Sequence, residues 1–332
     1  MQTLPFSELY VWKILMIDTF GRTISYLRLS VTDRCNLRCR YCMSADGICK
    51  KDHNEMLTEE ETVMAVSAAA RLGVSKLRIT GGEPLLKQNI LSVCERTAGI
   101  PGIRELSLTT NGILLPEYAQ DLKACGVKRI NLSLDTLNPE KYRYLTRTGS
   151  LDQALRGLDA ALSAGFEKVK INTVLIGGCN DDEIGDLAAL TQKYPVDVRF
   201  IELMPMYDGG DFGPEAYIDA ESVLTALNGR LTLWKQDGVA TLYRMENAKG
   251  CIGLIRPISE NFCASCNRLR LTADGRIKPC LHAAMEIPVK GMNEEEMLHA
   301  FERAATFKPE WHGVLTPCFR SGAGRNMNEI GG

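Results

Sequence analysis

Cys35-Asn-Leu-Arg-Cys39-Arg-Tyr-Cys42 sets three thiols in the spacing CxxxCxxC, and the reading of the whole chain turns on those eight residues. Three cysteines this close can wrap a four-iron cubane corner by corner, whereas ferredoxin-type carriers usually give a cluster four thiolates. The missing fourth ligand leaves one iron open to a small molecule. Two other readings start from the same spacing. A structural zinc knot needs a fourth ligand from elsewhere, and neighbouring cysteines can simply be buried thiols.

Outward from this loop, short β-rich runs alternate with helical stretches. Strands are expected at Ile24 to Ser30, Lys76 to Thr80, Glu105 to Thr109, Arg129 to Leu134, Val169 to Leu175 and Val198 to Leu203. Helical patterns cover Glu59 to Leu72, Pro116 to Cys125, Leu151 to Ala164 and Asp182 to Lys193, with Gly73, Gly126 and Gly165 as stop signals. Such alternation predicts an α/β fold of six parallel βα units, as a partial barrel or an open sheet.

The polar motifs favour the barrel, because nearly all fall where a strand ends. The cysteine loop follows the first strand and Gly81-Gly82-Glu83-Pro84 the second; Thr109-Thr110-Asn111-Gly112 closes the third. Ser133 and Asp135 close the fourth, Lys170 and Asn172 lie on the fifth, and Glu202-Leu203-Met204-Pro205 ends the sixth. Active sites of α/β barrels are built on this carboxyl-end face. Beyond about Asp208 the pattern changes to Gly- and Pro-punctuated short strands and one helix-like stretch, Glu294 to Ala305. The expected division is residues 1–18 of unclear role, a barrel over 19–207, and a smaller extension over 208–332 packed onto it.

The chain has 332 residues, 45% hydrophobic and 24% charged, enough for a substantial core. Its 39 lysines plus arginines nearly balance 41 aspartates plus glutamates, so the overall charge calls for neither nucleic acid nor an anionic membrane. Any anion site must be a local basic cluster. No secretory leader is recognisable: Tyr10 to Ile17 is short and broken by Lys13, and Met16 is a second candidate start. No run approaches the roughly 20 apolar residues of a membrane helix. The cytoplasm is therefore expected, where clustered cysteines mean metal or redox chemistry more often than disulfides.

A second constellation is Cys263-Ala-Ser-Cys266 with Cys280 after thirteen residues, again three thiols. A zinc ribbon would need a fourth ligand, for which Cys251 or Cys318 are candidates. Arg268 and Arg270 follow at once, alternate by two, and so project from one face of a strand. Two guanidiniums beside such a cluster suit a polyphosphate. For any one basic residue a solvated surface charge is the commoner explanation; it is their convergence that argues for a site.

The cysteine spacing, with Ser30-Val31-Thr32-Asp33-Arg34 before it and Met43 after it, resembles the signature of the radical S-adenosylmethionine (SAM) superfamily, and Gly81-Gly82-Glu83-Pro84 resembles its GGEP segment. A closer resemblance, covering about Thr19 to the last residue, is to the GTP 3',8-cyclase family. It rests on Leu77-Arg-Ile-Thr-Gly-Gly-Glu-Pro-Leu85, on Asn261 through Cys280, and on the terminal Gly331-Gly332. The resemblance implies a partial (β/α)6 TIM-like radical SAM barrel with a C-terminal iron-sulfur extension, and a lyase acting in molybdenum cofactor biosynthesis.

It further implies two 4Fe-4S clusters, one on Cys35, Cys39 and Cys42 and one on Cys263, Cys266 and Cys280. SAM would meet Tyr41, Gly82, Glu83, Ser133 and Met204. GTP would meet Arg28, Arg78, Thr109, Lys170, Arg268, Leu269 and Arg270, the leucine through its backbone, and Lys76, two residues before Arg78 on the same strand face, is expected to join them. In the family's reaction a 5'-deoxyadenosyl radical removes the ribose 3' hydrogen of GTP and the carbon radical attacks guanine C8. The second cluster anchors the purine and returns an electron, and the Gly331-Gly332 tail reaches in to support catalysis. An external one-electron donor is implied, and a pathway link to cyclic pyranopterin monophosphate synthase. The oligomeric state stays open, a homodimer included.

Ser44 stands where the family commonly has proline. Cys49, Cys94, Cys125, Cys179, Cys251 and Cys318 fit no cluster motif and read as packing or incidental thiols, and His53, His282, His299 and His312 are expected to be isolated and without an acid/base role. Two other functions start from the same motifs. A radical SAM peptide-modifying enzyme with an auxiliary cluster would usually carry more clustered cysteines. A non-enzymatic iron-sulfur module leaves the GGEP segment and the strand-end motifs without purpose.

Overall fold

Aliphatic and polar residues alternate in β1 (Tyr26–Ser30), β2 (Lys76–Thr80), β3 (Glu105–Thr110), β4 (Arg129–Ser133), β5 (Lys168–Leu175) and β6 (Val196–Glu202). All neighbours among them pair in parallel. Parallel strands covered on both faces ordinarily read as unbroken apolar runs; here only the outward face is apolar. Leu27, Leu29, Leu77, Ile79, Leu108, Ile130 and Leu132 are fully buried and pack against the helices in one continuous core. The inward face is left polar, so the lumen is a site and not a packed interior.

The computed structural model describes residues 15–47, 51–206, 211–319 and 321–331. Cys49, Gly332, the side chain of His53 and most of the segment 1–18 lie outside them. Met16 itself is a core residue, its N–H bonded to Leu72 O and its carbonyl accepting from Ile24 N. No helix among the described residues is long and apolar enough to cross a membrane.

The helices are α1 (Glu59–Arg71), α2 (Ile90–Ala98), α3 (Leu115–Ala124), α4 (Pro139–Thr146), α5 (Leu151–Ala164), α6 (Ile184–Lys193), α7 (Glu221–Ala226), α8 (Glu294–Thr306) and α9 (Met327–Ile330). Capping boxes Thr58/Glu61 and Asn293/Glu296 start α1 and α8. The helix expected from Asp182 opens instead with a tight turn, because the Glu183 carboxylate is drawn inward to accept from Thr136 Oγ1 and Leu137 N.

The residues after 208 add strands to both edges of the same sheet. They supply β7 (Leu231–Asp237), β8 (Ala240–Met245), β9 (Ile252–Ile255), β10 (Arg268–Leu271), β11 (Arg276–Lys278) and β12 (Ile287–Pro288), giving the order β12-β11-β10-β1-β2-β3-β4-β5-β6-β9-β8-β7. β10 runs parallel to β1 and β9 parallel to β6, so the six-strand arc is widened at each side.

Arg22 ties these parts together. It is buried and donates to Asp18 Oδ2 and to the carbonyls of Cys263, Pro309 and Glu310, joining the entry turn to the second cysteine loop. Replacing it leaves the equally buried Asp18 without its ion-pair partner and removes a donor from each of three carbonyls. Arg22→Leu is expected to lower stability by about 3–5 kcal/mol, read as a shift in the denaturant midpoint.

Candidate active site

Backbone register decides the floor of the site. Arg28 on β1 lies directly beside Arg270 on β10 and Arg78 on β2, so three guanidiniums stand at one level on strands about 4.8 Å apart. Like charges at directly paired positions are destabilising, and burial worsens it. Burial, then the neighbouring cations, lowers the pKa of Arg28; burial brings Arg78 down to about 9. Tyr26, one step below, has the guanidiniums of Arg78 and Arg268 each 5.5 Å from its ring centre. Burial alone would raise its hydroxyl, yet Arg78, Arg28 and Arg268 outweigh it and hold it at about 8.

Among the described residues, the buried Nε atoms of Arg28, Arg78, Arg199 and Arg268 and the hydroxyl of Thr109 have no hydrogen-bond partner. All five residues line one cavity. Unpaired buried donors are costly, so this set is built for an anion with many acceptor oxygens. Three other expected nucleotide contacts already have neighbours within the protein. Lys76 points out at the strand's start and pairs with Glu105 at 3.7 Å, Leu269 faces the apolar core, and Lys170 is bonded to Asp237.

The first cysteine loop rims the other end of the cavity, with Cys35, Cys39 and Cys42 all on its wall. Backbone bonds fix it on two sides. Arg38 N and Arg40 N donate to Thr146 O and Leu145 O at the end of α4, while Gly82 N and Glu83 N donate to Thr32 O and Arg34 O at 2.7 and 2.8 Å. A Cβ on Gly82 would stand 2.3 Å from Arg34 O; the glycine is required first for this docking of two loops. Burial pushes the Cys35 thiol up to about 11 and Cys42 to about 12, with Cys39 also well up. Without a metal cation these groups stay protonated, and metal binding must displace the protons.

Tyr41, Gly82, Glu83, Ser133 and Met204 line the same cavity. Tyr41 donates to Asp135 Oδ2 at 2.7 Å, and Asp135 Oδ1 accepts from Val174 N. Glu83 is fully buried and accepts from Thr110 Oγ1, Leu85 N and Asn111 N.

Cys263, Cys266 and Cys280 line the cavity opposite the first triad. Neither Cys251 nor Cys318, the expected candidates for a zinc ribbon's fourth ligand, does so. Among the described residues, no three His, Cys, Asp or Glu meet closely enough for a single metal ion. Thiols spread around a wall fit the separate corners of an iron-sulfur cubane better. Lys308 completes this side. It is buried, and its ammonium donates to Arg268 O and Pro279 O, each at 2.9 Å, bracing both arms of the triad. Burial would raise the Cys266 thiol, but Lys308 and Arg268 outweigh it and bring it below its ordinary range.

Two family profiles match the chain, the Radical SAM superfamily over residues 29–191 and Molybdenum Cofactor Synthesis C over residues 196–314. A GTP 3',8-cyclase of Alkaliphilus oremlandii (strain OhILAs) is 45% identical over 321 residues, 96% of this chain and 100% of the relative. Another, of Peptoclostridium acidaminophilum, is 50% identical over 282 residues, 84% of this chain and 87% of the relative. The chain belongs to the GTP 3',8-cyclase family. Among solved structures, SuiB of Streptococcus suis superposes with a TM-score of 0.64 at 15% identity, over 89% of this chain and 68% of that one. That likeness is one of fold. As a radical SAM protein, this GTP 3',8-cyclase family member uses a 4Fe-4S cluster with SAM.

In this member of the GTP 3',8-cyclase family the C-terminal tail folds back over the cavity. Arg325 is clamped by Asp274 and Glu286, Asn328 Nδ2 donates to Asp33 O at 3.3 Å, and Arg270 donates to Gly331 O at 2.6 Å. Gly331 has φ +81° and leaves no room for a Cβ, which would lie 2.2 Å from Thr80 Oγ1.

His282 and His312 are not isolated as expected: their rings meet edge to face at 5.3 Å on the cavity wall. Burial, then His312, pushes His282 down to about 3, so it is neutral at ordinary pH. Like Lys308 they come from loops without periodic signal; Lys308-Pro-Glu-Trp-His312 is a basic, proline-broken stretch directly after a helix, and that was the available cue.

Burial pushes Glu83 up to about 7 from 4.5 and Asp135 up to about 6 from 3.8. Between the unfolded and folded values the native chain holds protons that the unfolded chain has lost. By themselves these two carboxyls make the metal-free protein less stable as pH rises from about 4 to about 7, by roughly 3 kcal/mol each, while His282, held below its unfolded value, works the other way up to about 6.5. Denaturant midpoints measured across this range should show Glu83→Gln losing stability less steeply with rising pH than the native chain, by roughly 3 kcal/mol over the whole range.

Proposed function

We propose that the chain is a radical SAM lyase that converts GTP into (8S)-3',8-cyclo-7,8-dihydroguanosine 5'-triphosphate, the first step of molybdenum cofactor biosynthesis. The observation that carries this reading is the layer of unpaired guanidiniums sharing one cavity with both cysteine triads. Names borne by the relatives point to the same substrate.

Cys35, Cys39 and Cys42 would hold the first cluster, with Tyr41, Gly82, Glu83, Ser133 and Met204 around SAM. Bound there, cluster and SAM supply a 5'-deoxyadenosyl radical by one-electron cleavage, the electron coming from an external donor. Cys263, Cys266 and Cys280 would hold a second 4Fe-4S cluster, beside which Lys308 adds a positive charge. Arg28, Arg78 and Arg268 receive the phosphates, Thr109 offers its free hydroxyl, and Arg270 is shared with the tail. This spans the ligand between the two triads, holding the ribose in the middle of the cavity. Enclosure by barrel and tail keeps water and stray hydrogen donors from the radical. A peptide substrate would leave the arginine layer without counter-charge. The barrel over 19–207 and the extension over 208–332 then act as one catalytic unit, in the cytoplasm. The product passes to cyclic pyranopterin monophosphate synthase.

Anaerobic incubation of reconstituted protein with SAM, dithionite and GTP, followed by mass spectrometry, is expected to give an isomer of GTP together with 5'-deoxyadenosine. Arg28→Ala and Arg78→Ala should each raise KM for GTP about ten- to hundredfold, as loss of a charge-assisted contact predicts. Absence of any GTP-dependent product would overturn the reading. Gly331→Ala, or residues added after Gly332, should lower turnover at least tenfold by drawing the tail off Arg270 and Thr80; unchanged turnover would remove the tail from catalysis.

A further inference from the structure

The hairpin of β7 and β8 reaches the cavity with its turn, where Val239 joins the wall. Just before that turn, Asp237 does something no other carboxylate among the described inward-facing groups does. Its Oδ2 accepts from Lys170 Nζ at 3.0 Å and from Arg199 NH2 at 2.5 Å, so one oxygen serves two cations on adjacent strands. Lys170 shares the inward face of β5 with Asn172 and Val174, and Arg199 lines the cavity from β6.

The partners are unequal in a telling way. The side chains of Lys170 and Arg199 are 7% and 9% exposed, fixed within the protein, whereas Asp237 is 46% exposed on a two-residue turn through Gly238. Released, the carboxylate returns to water at little cost; the cations have nowhere else to go. Arg129, the next cation along, is already paired with Glu105. The remaining inward guanidiniums of Arg28, Arg78 and Arg268 keep unpartnered Nε atoms. Asp237 therefore occupies one end of a cationic track whose other end is open.

We infer that Asp237 is a built-in competitor for the terminal phosphate of the bound nucleotide, holding Lys170 and Arg199 in place when no ligand is present and leaving them when a triphosphate arrives. A terminal phosphate carries more charge and more acceptor oxygens than one carboxylate, so it wins two cations that Asp237 only shares. The return of Asp237 helps a product that still carries its triphosphate to leave. Only the identity of the ligand rests on the function proposed above.

Isothermal titration of anaerobically reconstituted protein, native and Asp237→Asn, with GTP, GDP and inorganic tripolyphosphate tests the assignment. The variant is expected to bind GTP and tripolyphosphate about tenfold tighter, with GDP, which falls short of this end, changed less than twofold. In the native protein, hydrogen exchange of residues 235–241 is expected to quicken when tripolyphosphate binds, a readout that needs no variant. Unchanged or weaker tripolyphosphate binding by the folded variant, or slower exchange at the turn, overturns the assignment. Tighter tripolyphosphate binding with no GTP binding by either protein would instead sink the nucleotide reading and leave Asp237 in its role.

Discussion

Several guanidiniums set side by side on parallel strands, facing into a lumen with few carboxylates, form the constraint that the rest of the structure answers. Arg270, Arg28 and Arg78 are level with one another by register, and no side-chain rotation takes them far apart. The apolar outward face of the same strands pins this arrangement, since slipping any strand by one residue would bury its charges against the helices. Core packing thus forces the cations together, and only a bound anion relieves them. Tyr26, Asp237 and the carbonyl of Gly331 are the partial answers the protein supplies itself.

Around this floor the two cysteine triads are held in opposite electrostatic settings. The first lies among buried groups that keep its thiols protonated, and its loop is positioned by backbone bonds to α4 and to the Gly81-Gly82 turn together with the guanidiniums of Arg38 and Arg147, which donate to its carbonyls. The second carries a resident cation, Lys308, whose ammonium braces two carbonyls flanking the cysteines. One site waits for a metal charge to form its thiolates, and the other has part of that charge in place.

Much of this was readable from sequence, for reasons that can be named. β2 was bounded correctly at Lys76 and Thr80 because alternation is strict there and glycines follow; the triads and Arg268 and Arg270 declared themselves by spacing. The short helix α4 was missed although Asn138-Pro139 is a clear cap, since its exposed face is as polar as a loop. Lys76 was expected in the cavity because it shares a face with Arg78, but position along a strand decides which end of a barrel a residue meets, and periodicity is blind to that. Lys308, His312 and Asp237 came to the site through long-range folding of irregular segments, which no local pattern encodes. Gly82 is expected beside SAM, yet the tightest neighbour of both Gly81 and Gly82 is the backbone that leads into the first cysteine loop.

The placement of β10 beside β1 has a further consequence for how the chain comes to exist. Until Arg268–Leu271 is made, β1 has a partner on one side only, and the strand that precedes the first cysteines offers an open row of backbone donors and acceptors to any passing chain. Closure of that edge requires a contact spanning some two hundred and forty residues, the kind of pairing that forms late and slowly. A ribosome-bound fragment ending anywhere in the helical region is therefore an adhesive intermediate. The nascent protein thus depends on its last quarter to cover the edge of β1 as well as to complete the cavity.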